Sequence, residues 1–254
     1  MSKPCLDLGG KTALVCGASG GIGAACARLL AQAGAKMVIS GTREDKLASL
    51  TQELDALGMG CSQVAINLTQ EGAPQYLVAA AVERLGRLDI LVNAQGINRR
   101  QKAEDVTAEN WDAVMDVNLR SLFFVCQAAG RQMIKQKYGR IVSISSLTGT
   151  VAMSLRAAYC ASKAGLDQLS RELALEWAPY NITVNTVAPT FVETDLVADM
   201  LADESSRQWA LDNIPLGRVA YPEEIGYAVL YLVTDMAAMI TGHVLLVDGG
   251  WTVK

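Results

Sequence analysis

Short runs of β-branched and apolar residues recur along this chain, each followed by a longer stretch with the period of a helix. That alternation admits few folds. A strand covered on both faces reads as a continuous apolar run, and two parallel neighbours need a helix-length crossover between them. The strand-like runs are 12–16, 36–40, 61–66, 88–93, 140–144, 182–187 and 244–247. Helical patterns are expected over 22–33, 44–57, 70–85, 110–135, 157–177, 194–212 and 222–233. The expected fold class is α/β, a doubly wound parallel sheet of about seven strands with helices on both faces. Residues 1–254 are expected to form it as one domain. Ligands of such sheets bind beyond the C-terminal ends of the strands, so function is to be sought there.

Composition removes several alternatives. The 254 residues include 22 basic and 26 acidic side chains, a net charge of −4, which is no footprint for a nucleic-acid partner. No apolar run approaches the roughly 20 residues needed to span a bilayer. Met1–Gly10 has no charged start followed by an apolar stretch, so it does not read as a secretory leader. A cytoplasmic protein without a membrane partner is expected. Cys5, Cys16, Cys26, Cys61, Cys126 and Cys160 are scattered, without a C-x-x-C pair. They read as free thiols in a reducing compartment. No Cys/His cluster has metal-ligand spacing, so no metal is expected. His243, the one histidine, lies in an apolar stretch and reads as structural.

The first strand runs directly into Gly17-Ala-Ser-Gly-Gly21-Ile-Gly23 and then a helix. Glycines there permit a tight turn and close backbone approach. The helix N-terminus adds free N–H groups and a positive dipole end suited to a pyrophosphate. Gly17, Ser19, Gly21, Ile22 and Gly23 are therefore candidate dinucleotide contacts.

A second constellation lies in the 157–177 helix. Tyr159 and Lys163, at i and i+4, share one helix face. Tyrosine, with a pKa of about 10, is a weak base near neutrality. A lysine ammonium and a cationic nicotinamide close by are expected to lower it. Ser146, just past the fifth strand, can donate to a substrate oxygen. Asn118 lies in the long helix preceding that strand.

The glycine turn, Ser146, Asn118 and Tyr159-x-x-x-Lys163 together resemble the short-chain dehydrogenase/reductase family, with its T-G-x-x-x-G-x-G and Y-x-x-x-K motifs. Cys16 stands where the family has Thr. The resemblance runs from Gly10 to the end of the chain and implies a Rossmann-type domain and nicotinamide-dependent oxidation and reduction of secondary alcohols and ketones. It implies Tyr159 as general acid/base, Lys163 on the nicotinamide ribose, Ser146 polarising the carbonyl, and Asn118 holding a relay water. Asn67 and Leu68 would border the adenine. The family's N-N-A-G reads Asn93-Ala94-Gln95-Gly96 here, with Asn93, Ala94 and Gly96 as candidate contacts. Pro189, Val192 and Thr194 would frame the nicotinamide, and Thr190 replaces a usual Gly.

Gly41 occupies the place where NAD-preferring members carry Asp, and Thr42 and Arg43 follow it. That pair can hold a 2′-phosphate, so NADP(H) is favoured and NAD(H) possible. The alternative is a solvated Arg43 paired with Glu44 or Asp45. Ile97-Asn98-Arg99-Arg100 resembles the gluconate 5-dehydrogenase branch, and an arginine there could meet a substrate carboxylate. The alternative is a pair of solvent-facing loop charges. The substrate alternatives are a sugar acid such as gluconate, and a 3-oxoacyl thioester or simple ketone. A nucleotide-sensing protein without catalysis is a third reading. Ser154, Leu155, Arg156 and the 191–209 segment are expected to shape the pocket. Helices 110–134 and 157–177 are apolar on more faces than one sheet needs, which points to a homotetramer or homodimer built on them.

Overall fold

A computed structural model describes residues 6–253, without the side chains of residues 199 and 201; Cys5 lies outside the described residues. The strands are β1 (Thr12–Cys16), β2 (Lys36–Gly41), β3 (Cys61–Ala65), β4 (Ile90–Asn93), β5 (Gly139–Ile144), β6 (Ile182–Pro189) and β7 (Val244–Val247). All pair in parallel, in the order β3-β2-β1-β4-β5-β6-β7. The helices are α1 (Gly21–Gln32), α2 (Glu44–Ala56), α3 (Ala73–Leu85), α4 (Ala108–Met115), α5 (Ser121–Gln136), α6 (Ala157–Trp177), α7 (Ala198–Ala202), α8 (Glu204–Asn213) and α9 (Pro222–Val233).

Strand periodicity divides the core into two layers. In β1, Ala13 and Val15 face a cluster that includes Leu30, Leu47 and Leu50 from α1 and α2 and Val229 from α9. Leu14 and Cys16 face the opposite cluster, with Leu77 of α3, Val125 and Met133 of α5, and Leu173 and Trp177 of α6. Each layer removes a full row of side chains from water, the main favourable term in folding. The order in which successive strands are added reverses between β1 and β4, and the ends of these strands open into the crevice that such sheets use for ligands. A third, small cluster of Phe191, Ala210 and Ile214, with Trp251 against it, forms a roof beyond β6.

Three expected helices differ from those found. The 110–135 helix is broken by a π turn over Asp116–Arg120. Such a turn adds one residue to a single helical turn and has no compositional mark of its own, so the sequence gave no sign of it. The 194–212 segment divides into α7 and α8, because Asp203 caps α8 by accepting from Ser206 N–H at 2.8 Å. α3 begins at Ala73 rather than Gln70, behind the left-handed Gly72 and with Pro74 in its first turn.

Candidate active site

The tight turn after β1 has a specific cause. Gly17 has φ +80°, and a Cβ there would come within 2.5 Å of the Gln95 backbone nitrogen. A side chain would therefore push β1's turn away from the segment after β4. Gly23 lies against the Gly17 carbonyl and Gly21 against Thr194, so both glycines serve closure of the site. No side chain caps the N-terminus of α1 and no acidic residue occupies its first turn, which leaves its N–H groups available to an anion.

Two clefts meet above this turn. The outer one runs past Gly17, Ser19, Thr42, Arg43, Asn67 and Leu68. The inner one is lined by Ile22, Ser146, Tyr159, Lys163, Pro189, Val192 and Thr194 among others. They share Ala94, Gln95 and Gly96. The outer groove is continuous, flanked by an uncapped helix start, and passable only because glycines line it, so the residues present fit a dinucleotide. Asn93 reaches neither cleft. Its side chain donates to Cys126 Sγ and Ser143 Oγ, each at 3.2 Å, inside the sheet.

The four candidate catalytic side chains converge by different routes. Tyr159 and Lys163 share one face of α6, with the Lys163 ammonium 5.7 Å from the Tyr159 ring centre. Lys163 is buried, and its ammonium donates to the Ile144 carbonyl at 2.8 Å. Ser146 follows β5 and accepts from the Thr148 amide and hydroxyl at 3.2 and 2.9 Å. Asn118 sits in the π turn, fully buried. Its amide donates to the Ile97 carbonyl at 2.9 Å and Ser162 Oγ at 3.1 Å, and its oxygen accepts from Ile97 N–H at 2.8 Å. Asn118 thus clamps the segment that carries Gly96. A Cβ at Gly96 would lie 3.5 Å from Asn118 Oδ1 and 3.6 Å from Lys163 Nζ, so these atoms border one small space.

The electrostatics correct one expectation. Burial pushes Tyr159 above its ordinary value, whereas the hydrogen bond with Ser146 and the charge of Arg156 draw it down. Lys163 together with a cationic nicotinamide was expected to lower it, and Lys163 is not among the groups that do. Instead, desolvation lowers Lys163 itself from 10.5 to about 8, with Asp167 opposing. Removing a charge from water outweighs the remaining attractions for both groups. The alternative reading of Arg43, a pairing with Glu44 or Asp45, is not what the structure has. Arg43 donates to the Ser19 carbonyl and to Asp195 Oδ2.

Arg99 and Arg100 are both exposed, and of the two Arg100 lines the inner cleft. Ser154, Leu155 and Trp209 line an adjoining cleft that shares Arg100, Met153, Arg156 and Met200 with the inner one. Gln95 and Thr190, noted in the sequence as departures from the family pattern, carry buried side-chain polar atoms without partners among the described residues. Arg156, expected to shape the pocket, does line the cleft and offers a guanidinium there; nothing in the sequence signals which arginine lacks a counter-ion. His243 is exposed at the start of β7, where its N–H donates to Asn185 Oδ1 at 3.0 Å. Burial raises the Cys16, Cys26 and Cys126 thiols to about 12, so these thiols stay protonated at neutral pH. Among the described residues no helix is long and apolar enough to cross a membrane.

A parallel sheet with a dinucleotide groove at its switch point and Tyr, Lys and Ser in the adjoining cleft defines a nicotinamide-dependent oxidoreductase. Residues 17–252 match the family model described as Enoyl-(Acyl carrier protein) reductase. A NAD-dependent glycerol dehydrogenase from Listeria innocua is 38% identical over 244 residues, 96% of this chain and 94% of that one. A 3-oxoacyl-(acyl-carrier-protein) reductase from Thermotoga maritima is 38% identical over 245 residues, 96% and 99% of the two chains. The crystal structure of a gluconate 5-dehydrogenase from Burkholderia cenocepacia, in complex with NADP and tartrate, aligns at TM-score 0.94 with 32% identity, covering 98% of each chain. The chain belongs to the short-chain dehydrogenase/reductase family and is an oxidoreductase acting between alcohol and carbonyl.

Proposed function

We propose that the chain interconverts a secondary alcohol and a ketone on a small polyhydroxylated acid of the gluconate kind, favouring NADP(H) over NAD(H). One observation carries the substrate half of this reading. Gln95 Oε1 and Nε2, Asn98 Oδ1 and Thr190 Oγ1 are buried without partners among the described residues, and all three residues line the inner cleft. Buried polar groups are costly unless paired. A ligand rich in hydroxyls supplies the missing donors and acceptors, whereas an acyl chain would leave them unpaired. The similarity to a gluconate 5-dehydrogenase supports the same reading.

A nicotinamide dinucleotide, when bound, accepts hydride from the carbinol carbon in oxidation and returns it in reduction. Gly17, Ser19 and the start of α1 would hold its pyrophosphate. Thr42 and Arg43 would hold a 2′-phosphate, with Asn67 and Leu68 beside the adenine. Lys163 would hold the nicotinamide ribose, and Ile22, Ala94, Gly96, Pro189, Val192 and Thr194 would frame the ring; Gly21, Gly23 and Asn93 support these contacts from behind. In oxidation the Tyr159 phenolate takes the hydroxyl proton; in reduction the phenol returns it to the substrate oxygen. The Ser146 hydroxyl donates to that same oxygen. Asn118 positions the Ala94–Gly96 turn through Ile97, and a water between its oxygen and Lys163 would carry the proton onward.

The assembly we propose is a homotetramer or homodimer through α5 and α6. On α6 the outward face carries Ala157, Ala161, Ala164 and Leu175, the last 75% exposed, a surface suited to helix–helix contact. Light scattering that returns the monomer mass would refute this. The function itself is tested by incubating the protein with D-gluconate and either NADP or NAD while following reduced nicotinamide. Turnover mainly with NADP is expected. No turnover with either, alongside reduction of 3-oxoacyl thioesters, would replace this reading with the acyl one.

A further inference from the structure

Arg156 is 8% exposed, yet no carboxylate among the described residues pairs with it. Among the described residues its one side-chain hydrogen bond runs from Nη1 to the Ser154 carbonyl at 3.3 Å, and its guanidinium lies 5.9 Å from the centre of the Phe191 ring. Arginine is almost never buried unless paired. Three further features make this position costly in the absence of an anion. Arg156 is the N-cap of the 21-residue α6, where the helix dipole is positive and no acidic residue occupies the first turn. Arg100 is close enough for its charge to disfavour that of Arg156. Leu155, immediately before it, has φ +64°, a conformation that a branched apolar residue rarely adopts. The strained backbone is held by Gln101, whose N–H donates to the Leu155 carbonyl at 3.0 Å. Strain of this kind clusters at ligand clamps.

We propose that Arg156, with Arg100 beside it, forms the subsite that anchors a substrate carboxylate in the catalytic cleft. The two arginines line both the inner cleft and the cleft adjoining it. An arriving carboxylate would receive the fork of a buried guanidinium and the positive end of α6 together, a strong form of anion recognition. Arg156, the N-cap, stands three residues before Tyr159, so the two side chains leave neighbouring points of the chain, and both line the inner cleft. A carboxylate held there and a hydroxyl at Tyr159 are therefore separated by a few carbons. That selects hydroxy acids whose reacting carbinol lies several bonds from the acid group. The proposal rests on the sugar-acid reading and adds the residue that discriminates acid from neutral polyol.

The test compares D-gluconate with its neutral counterpart D-glucitol in the wild-type protein, Arg156→Met and Arg156→Lys. Thermal unfolding and NADPH fluorescence check that each variant is folded and binds cofactor. In Arg156→Met the preference for gluconate, measured as the ratio of kcat/KM values, is expected to fall at least about tenfold, mainly through KM. Arg156→Lys is expected to recover part of it. An equal loss on both substrates, or none on gluconate, would overturn the subsite while leaving the sugar-acid reading intact. If the wild-type protein turns over no sugar acid, protection of the NADPH-loaded protein against heat by tartrate decides the matter separately. Protection that Arg156→Met abolishes supports the anion subsite; absence of protection overturns it.

Discussion

Arg43 Nη1 lies 3.0 Å from Asp195 Oδ2, so the residue two places past β2 is tied to the loop that follows β6. Arg43 also lines the outer groove. Arg43 holds the Asp195 carboxyl below its ordinary range through this hydrogen bond, although Asp195 is largely exposed. On the proposed NADP reading, a carboxylate occupies the guanidinium that a 2′-phosphate would use, and the two anions would compete. Asp195→Asn is expected to lower KM for NADP severalfold and leave KM for NAD unaltered. Unfolding temperature should hardly move, because exposed pairs contribute only about 0–1 kcal/mol. Arg43→Gln should raise KM for NADP by about tenfold or more and affect NAD little. Steady-state kinetics with both cofactors provide the check; parallel changes for NAD and NADP in either variant would remove Arg43 from the phosphate site.

Tyr159 is pushed up by burial and drawn down chiefly by Ser146 and then by Arg156. Oxidation needs the phenolate, so kcat/KM for alcohol oxidation should climb with pH on a limb set by Tyr159. Deleting a group that stabilises the phenolate raises the pKa and moves that limb to higher pH. Ser146→Ala should therefore shift the profile upward in pH and lower its plateau. Tyr159→Phe should lose about 10²–10⁴-fold in kcat while NADPH binding persists. A Tyr159→Phe enzyme with most of its activity would place the proton transfer elsewhere.

Residues whose roles depend on local spacing were legible in the sequence, and those whose roles depend on distant partners were not. α6 and α9 span the expected residues, Ala157–Trp177 and Pro222–Val233, because apolar periodicity and Pro222 mark them in the chain itself. Tyr159, Lys163 and Ser146 were readable because spacing and strand ends determine where they meet. Arg43 was readable as a candidate phosphate contact, but its pairing with Asp195 was not, since that partner lies 152 residues away. Arg156 was readable as a pocket residue, but its lack of a carboxylate partner among the described residues was not. The Asn118 side chain reads as a relay residue by resemblance. Only the fold reveals that both its amide hydrogens are committed to Ile97 and Ser162. Gln95 and Thr190 were visible as departures, though the pattern could not tell that both open polar atoms into one cleft.

Lys163 predicts a conflict between stability and activity. Burial lowers it from 10.5 to about 8. Below about pH 8 folded and unfolded chains both carry the charge, and the folded state bears the full cost, about 3 kcal/mol. Above about pH 10.5 neither carries it. The unfolded chain binds more protons in between, so stability rises with pH across that window. Lys163→Met should therefore be inactive yet more stable than wild type at pH 7, by up to that amount less the lost bond to Ile144. Urea denaturation at pH 7 and pH 10 checks this. An advantage of the same size at both pH values would show that the buried charge is not its source.

Gly41 governs how cofactor choice can be changed. A Cβ there would lie 2.5 Å from Ser19 Oγ and 3.0 Å from Ser19 Cβ. The aspartate carried here by NAD-preferring relatives therefore cannot be introduced without moving Ser19, which belongs to the turn that begins at Gly17. Gly41→Asp alone is expected to lower kcat/KM with both cofactors: with NADP because a carboxylate faces the 2′-phosphate, and with NAD because the turn is displaced. Ser19→Gly removes both of the closest obstructing atoms. The double variant should recover activity with NAD and remain poor with NADP, since the charge stays. Kinetics of the two single variants and the double variant with each cofactor separate the two effects. If Gly41→Asp alone gave an efficient NAD enzyme, Ser19 would be free to move and the steric argument would fail, leaving charge as the sole determinant.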